Sequence, residues 1–527
     1  MRQQNSRRSR DINGEEDRDA RKSRHTLNVE TSVIAYVFLA LFLLLVAYFV
    51  YFMAFKSEDF INNPANPRVK GFEKLVVRGE IKAADGTVLA RTVTRNGKEV
   101  REYPKGREYA HVVGYNSNGM SGIESDKSFY MLRSHSFIVN RIVNDLKNEK
   151  NPGDNAVTSL DTKLQDTAYN GMGYYQGAAV AIDCNTGGVL AMVSKPDFDP
   201  NTVTTNWKSL SSDENSALLN RATQGLYPPG STFKVITALS YLKNGGKLSD
   251  TFDCQGSYTE DGYTIHCYGG EVHGKQTFKQ AFGNSCNVAF SKVGLSLPNG
   301  ALKSTAQEFL FNKKIPSDIS NINKSQFTLK SSDSKALVMQ TAIGQGNTLV
   351  TPLHMALISE AVANDGVIRE PFVVDHIEND GGRLVRSHVD RSERICTRDE
   401  ANTLKELMRY VVTNGTGRVV NSSSYEAYGK TGTAEFSSDK DEAHSWFIGF
   451  AKKGKKKIAV AVIMEKGGAG SSHAAPLAKQ LFDAYLGSGN GYKDSSHSSS
   501  CNPCSVSVSY IYTDSVRREG RLRREVI

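Results

Sequence analysis

A mixed α/β (α+β) fold, standing on a β-rich membrane-proximal module and a single transmembrane helix, is predicted by three features of the sequence. Val33 to Phe55 is one uncharged apolar run. Residues 56–165 alternate short apolar runs with Asn-Gly and Asp-Gly turn signals. Beyond residue 166, strand-like apolar runs alternate with stretches whose apolar residues recur at helical spacing.

Taken in order, residues 1–30 form a basic tail with eight Lys or Arg. Residues 31–55 form the anchor, because at about 1.5 Å per residue the run from Val33 to Phe55 spans the ~30 Å hydrocarbon layer. Phe55-Lys56-Ser57-Glu58-Asp59 lacks the small-residue cleavage site of a signal peptide, so the anchor is expected to stay attached. Large domains translocate largely regardless of their own charge, which favours a cytoplasmic N-terminus and an extracytoplasmic bulk in a single-pass membrane protein.

Residues 56–165 then read as a membrane-proximal pedestal, with runs such as Leu75-Val76-Val77 and Thr87-Val88-Leu89-Ala90. A larger domain occupies 166–486. It opens with a hairpin, Gly177–Asp183 and Val189–Val193 joined through Asn185-Thr186-Gly187-Gly188. Residues 487–527 are rich in Gly and Ser and are expected to be disordered.

The net charge of +9 comes partly from Arg517, Arg518, Arg521, Arg523 and Arg524, with no basic stretch interleaved with aromatics, so no nucleic-acid partner is expected. Seven scattered cysteines exclude a disulfide scaffold, although Cys254 and Cys267 are close enough to bridge in an oxidising compartment. Cys254, His266, Cys267 and His273 cluster in sequence, and Cys501-Asn502-Pro503-Cys504 is one CxxC pair. Their spacing matches no zinc signature, so no metal and no cofactor is expected.

Three motifs carry the chemistry. Ser231-Thr232-Phe233-Lys234 follows Tyr227-Pro228-Pro229-Gly230, which cannot continue a helix, and precedes apolar residues at helical spacing. A helix is therefore expected to begin at Ser231, offering free N–H groups to an oxyanion beside it, with Lys234 three residues on and on the same face. Three other Ser-x-x-Lys tetrapeptides, at Ser240, Ser332 and Ser437, lack that setting. Lys234 acts as a base only when neutral, through burial or a neighbouring cation such as Lys430.

Ser285-Cys286-Asn287 lies where a polar loop enters a helix-like run; Ser285 could relay a proton and the Asn287 amide could bind a substrate backbone. Lys430-Thr431-Gly432-Thr433 reads as part of a strand antiparallel to Ser445–Ala451. Gly432 would let a ligand approach a sheet edge, with Lys430 and Thr431 on a carboxylate and the Thr433 N–H in an oxyanion hole. Together these motifs describe acyl transfer by a serine nucleophile with a lysine base.

The chain resembles the penicillin-binding proteins, serine D,D-transpeptidases of bacterial cell-wall peptidoglycan. Beyond the three motifs, Arg78-Gly79-Glu80-Ile81, Ala110–Tyr115, Gly122-Ile123-Glu124, Lys195–Asn201, Gly344-Gln345-Gly346 and Thr351-Pro352-Leu353 carry the resemblance. It implies a β-lactamase-like domain, an antiparallel sheet flanked by helices with an adjoining helical lobe. Residues 56–165 leave no room for a fused glycosyltransferase domain, which points to the monofunctional class B. Its implied partners are peptidoglycan stem peptides, β-lactams, the membrane and a polymerase of the shape, elongation, division and sporulation (SEDS) family. A β-lactamase would be a shorter secreted domain, and a β-lactam sensor would need a cytoplasmic output domain larger than residues 1–30. A non-catalytic scaffold would not need every motif residue in place.

Overall fold

The computed structural model describes residues 29–53, 71–435 and 443–487. The basic tail to residue 28, the Gly/Ser-rich tail after Gly487 and the Cys501/Cys504 pair lie outside the described residues. Val29–Met53 is one helix, long and apolar enough to cross a membrane. Ala54 and Phe55, assigned to it from sequence, fall outside the described residues.

The membrane-proximal module is less purely β than its sequence predicts. Four short helices, Ala110–Val113, Gly122–Asp126, Ser128–Met131 and Ile138–Leu146, pack beside its strands. Its six-stranded sheet runs Leu384–Ser387, Val374–Glu378, Asn155–Thr158, Ile81–Lys82, Val88–Arg95, Lys98–Glu102. The first two strands come from more than two hundred residues downstream, so the sheet is completed by chain that returns from the larger domain.

A buried ion cluster fastens this module. Arg78 Nε donates to Glu124 Oε2 at 2.6 Å and Arg101 Nε to Oε1 at 2.7 Å, with the Glu124 side chain wholly buried. Burial alone would raise the Glu124 pKa, but the charges of Arg101 and Arg78 outweigh it and hold the carboxyl below its ordinary value. Two of the family-like stretches, around Arg78 and around Glu124, thus meet in one contact. A third, around Asn201, joins the module to the larger domain: Asn201 accepts from the Tyr103 N–H at 2.9 Å and donates to the Tyr103 carbonyl at 3.1 Å.

The larger domain is built on five strands, β1 (Gly177–Asp183), β2 (Val189–Lys195), β3 (Glu426–Glu435), β4 (Ala443–Lys453) and β5 (Lys456–Met464). They are antiparallel in the order β3-β4-β5-β1-β2, which leaves β3 at an edge. Along β5, Ala459, Ala461 and Ile463 enter one core while Ile458, Val460 and Val462 enter another on the opposite face. Burial on both faces explains why these strands read as unbroken apolar runs rather than as alternation.

Six helices matter here: α1 (Thr162–Gly171), α2 (Lys234–Lys243), α3 (Asn287–Ser296), α4 (Pro352–Ala363), α5 (Arg398–Thr413) and α6 (Ala474–Leu486). Helices α1 and α6 cover one face of the sheet, with Leu164, Ala168, Leu477 and Leu481 in the core they share with it. Helix α4 lies in the core of the other face, all its residues buried, packed against β5, β4 and β1 and against α5.

Glu124→Ala should cost about 3–5 kcal/mol, because two buried guanidinium groups lose their counter-charge. Ile463→Ala should cost about 2–5 kcal/mol through a cavity beneath the sheet. Chemical denaturation of the two variants checks both; values under 1 kcal/mol would show that these contacts do not fasten the fold.

Candidate active site

Ser231 lies in a tight 3₁₀ turn, Gly230–Phe233, and the α-helix proper begins at Lys234. The sequence reading of a helix opening at Ser231 is thus shifted by three residues, one turn of tighter winding. Gly230 makes the turn possible. Its φ is +53°, and a Cβ there would sit 2.5 Å from the Thr433 carbonyl of β3. Thr232 and Phe233 are buried beneath the turn, whereas Ser231 is half-exposed above it.

Lys234 points away from its own helix toward the second motif. Its Nζ donates to the Ser285 carbonyl at 2.7 Å and to Asn287 Oδ1 at 2.6 Å, with Ser285 Oγ at 3.4 Å. Cys286 caps α3 by accepting the Ala289 N–H, so Asn287 is the first residue of that helix. Ser285 has φ +56°, a left-handed conformation uncommon for a residue with a side chain. The Asn287 Nδ2 group donates to the His266 carbonyl at 2.9 Å. Both ends of that amide are therefore engaged within the protein.

Lys430 comes from β3 and reaches the same serine, donating to Ser285 Oγ at 2.9 Å and to the Thr431 carbonyl at 2.9 Å. Both lysines are completely buried. Burial lowers the Lys234 pKa to about 8. Burial also pushes Lys430 well below its usual value, and the neighbouring Lys234 charge pushes it further. Of the two causes anticipated from sequence, burial is the leading one at Lys234.

Lys430 to Thr433 lie on the edge strand, as expected for a surface that accepts an extended peptide. Gly432 also meets a packing constraint of its own. A Cβ there would lie 2.8 Å from Thr232 Cγ2 and 3.2 Å from the Pro229 carbonyl, so the glycine admits the serine-bearing turn. Thr431 Oγ1 lies 2.5 Å from Thr416 Oγ1. Thr416, in the loop after α5, was not found from sequence because Gly-Thr-Gly there carries no motif of its own.

The remaining cysteines were only partly anticipated. The sulfurs of Cys254 and Cys267 lie 3.6 Å apart, beyond the length of a disulfide bond. His273 and Cys286 join them, while the side chain of His266 stays exposed and outside the group.

Residues 177–483 match the penicillin binding protein transpeptidase domain, and residues 78–156 match the penicillin binding protein A dimerisation domain. The peptidoglycan D,D-transpeptidase PbpA of Mycolicibacterium smegmatis is 32% identical over 497 residues, covering 88% of this chain and 100% of that protein. The peptidoglycan D,D-transpeptidase MrdA of Acinetobacter baumannii is 30% identical over 73% of this chain and 66% of its own. Among solved structures, the imipenem acyl-enzyme complex of penicillin-binding protein A from Mycobacterium tuberculosis superposes with a TM-score of 0.72 at 28% identity, over 79% of this chain and all of that one. With the three motifs gathered around one buried lysine pair and both halves of the family architecture matched, the chain belongs to the penicillin-binding protein transpeptidase family and is a serine-type peptidoglycan D,D-transpeptidase.

Proposed function

We propose that Ser231 Oγ attacks the penultimate D-Ala carbonyl of a stem peptide, expels the terminal D-Ala, and passes the acyl group to the amine of a neighbouring strand. The observation that carries this assignment is the convergence of Lys234 and Lys430 on Ser285, with Asn287 holding Lys234, which lies one turn beyond Ser231 in the chain. Neutral Lys234 takes the Ser231 proton; Ser285, bonded to both lysines, returns a proton to the departing amine. Asn287 orients Lys234.

The oxyanion is held by the Ser231 N–H at the start of the turn and by the Thr433 N–H. Support for the latter comes from the Thr433 carbonyl, which faces Gly230 on the open edge of β3. In an antiparallel strand a residue's N–H and C=O point to the same side, so the Thr433 N–H faces that edge too. The Thr431 and Thr416 hydroxyls receive the terminal carboxylate within the field of Lys430, and Gly432 lets the turn close against the strand.

A β-lactam presents the same carbonyl in a ring. Its leaving nitrogen stays tethered after attack, which accounts for a lasting acyl-enzyme. The domain assignment proposed is tail 1–30, anchor 31–55, pedestal 56–165, transpeptidase domain 166–486 and tail 487–527. The two family matches fall inside the pedestal and transpeptidase spans. The short basic tail ahead of the anchor supports an inside N-terminus and an outside catalytic domain, and the pedestal is suited to contact a SEDS-family polymerase in the same membrane.

Ser231→Ala should abolish labelling by a fluorescent penicillin while the protein stays folded, at a stability cost of about 1 kcal/mol; label on the folded variant would refute the nucleophile. Slow release of label from the wild type is expected, and rapid release would indicate a β-lactamase. Because the base works when neutral, the acylation rate should rise as pH passes upward through about 8, and a rate that is flat there would exclude Lys234 as the base. Lys430→Ala should weaken carboxylate-bearing ligands more than neutral ones; equal loss of both would count against its role.

A further inference from the structure

The pedestal helix Ile138–Leu146 is attached to the protein by the opposite face from the one a soluble domain would use. At about 100° per residue, Ile138, Val139, Ile142, Val143 and Leu146 fall within one arc of about 140°, and Asn140, Arg141, Asn144 and Asp145 occupy the rest. An apolar stripe of this kind ordinarily faces a core. Here the polar side makes the attachment: Asn144 Nδ2 donates to Asn151 Oδ1 at 3.2 Å, and Asn151 Nδ2 donates to Asp145 Oδ1 at 2.9 Å. None of the nine helical residues is buried, and Phe137, Ile138 and Leu146 are 66%, 63% and 82% exposed.

Outside the anchor, the described residues expose fourteen large apolar side chains, and six of them are Phe137, Ile138, Val139, Ile142, Val143 and Leu146. Apolar surface concentrated in this way marks an interaction site. Its place in the chain identifies the occupant. The helix leads into the strand Asn151–Pro152, which pairs in parallel with Val76–Val77 at the start of the pedestal. The Asn151 N–H donates to the Leu75 carbonyl at 3.1 Å and Lys150 Nζ to the Glu73 carbonyl at 2.7 Å. The helix therefore ends against the segment by which the chain arrives from the anchor. Seventeen residues separate Met53 from Gly71, and even a fully extended chain of that length reaches at most about 65 Å.

The margins of the apolar arc suit a lipid surface as well. Arg141 and Lys147 flank it, and long basic side chains in that position reach headgroup phosphates while their stems lie along the apolar phase. Asp145, the one carboxylate within the helix, is turned toward Asn151. We propose that Phe137 and the apolar face of Ile138–Leu146 lie in the boundary between headgroups and acyl chains of the bilayer that holds the anchor, giving the pedestal a second, non-spanning membrane contact. The proposal rests on the reading of Val29–Met53 as membrane-embedded. A nine-residue helix binds lipid weakly alone, but the tether makes this contact intramolecular and raises its effective concentration. Anchor and helix on one membrane restrict how the pedestal turns about its tether.

The test uses the full-length protein reconstituted into vesicles of phosphatidylglycerol and phosphatidylcholine, with acyl chains either brominated or plain. Bromine quenches tryptophan on contact, and the signal of the two native tryptophans, Trp207 and Trp446, is subtracted using the parent protein. Ile142→Trp should lose roughly half or more of its added emission in the brominated vesicles. Introducing Leu146→Asp into the same chain should restore that emission, because a charge on the apolar face expels the helix from lipid. Phe42→Trp, in the anchor, should be quenched throughout, and Tyr174→Trp, fully exposed on the larger domain, should not be quenched. An unquenched Ile142→Trp beside a quenched Phe42→Trp would overturn the lipid contact and leave the face to a protein partner or a second copy of the chain. Quenching that survives Leu146→Asp would overturn the apolar face as the contact, and an unquenched Phe42→Trp would overturn the anchor reading and the proposal with it.

Discussion

Lys234 and Lys430, both fully buried, share one hydroxyl, that of Ser285, and among the described residues no carboxylate pairs with either. Burial strips both ammonium groups of hydration, and at Lys430 the neighbouring Lys234 charge adds repulsion, so each is driven toward its neutral form. An active serine needs a neutral amine beside it near neutral pH. Much of the architecture can be understood as what is required to hold such a pair in place.

Three elements must meet for the pair to exist. Lys430 comes from an edge strand of a sheet buried on both faces, Lys234 from the first turn of α2, and Ser285 from the turn before α3. Gly230 and Gly432 let the serine-bearing turn lie against the strand, since a methyl group at either position would strike the opposing backbone or Thr232. Asn287 completes the arrangement by linking Lys234 to the His266 carbonyl.

Much of the site was legible in the chain because its chemistry is local. Ser231 and Lys234 are one helical turn apart, Ser285 and Asn287 flank one residue, and Lys430 to Thr433 are consecutive. Contacts between distant segments were not legible. Thr416 meets Thr431 only because the loop after α5 passes β3. Strands Val374–Glu378 and Leu384–Ser387 return to complete the pedestal sheet across a separation that no local pattern encodes. The pairing of Arg78 and Arg101 with Glu124 explains two stretches that sequence marked as family-like without giving their reason.

By itself the sequence determined the apolar helix, the order of the motifs, the antiparallel strands around residues 177–195 and 426–453, and a serine-type acyl-transfer chemistry. Periodicity, turn residues and side-chain chemistry act over a few residues, so they can be read from a few residues. Only the tertiary structure decided which groups are buried together. It turned Lys234 toward Asn287, placed Lys430 against Ser285, and gathered a histidine and three cysteines within 4.8 Å of one another. Burial and proximity set the protonation of those groups, and both are properties of packing between segments far apart in the chain.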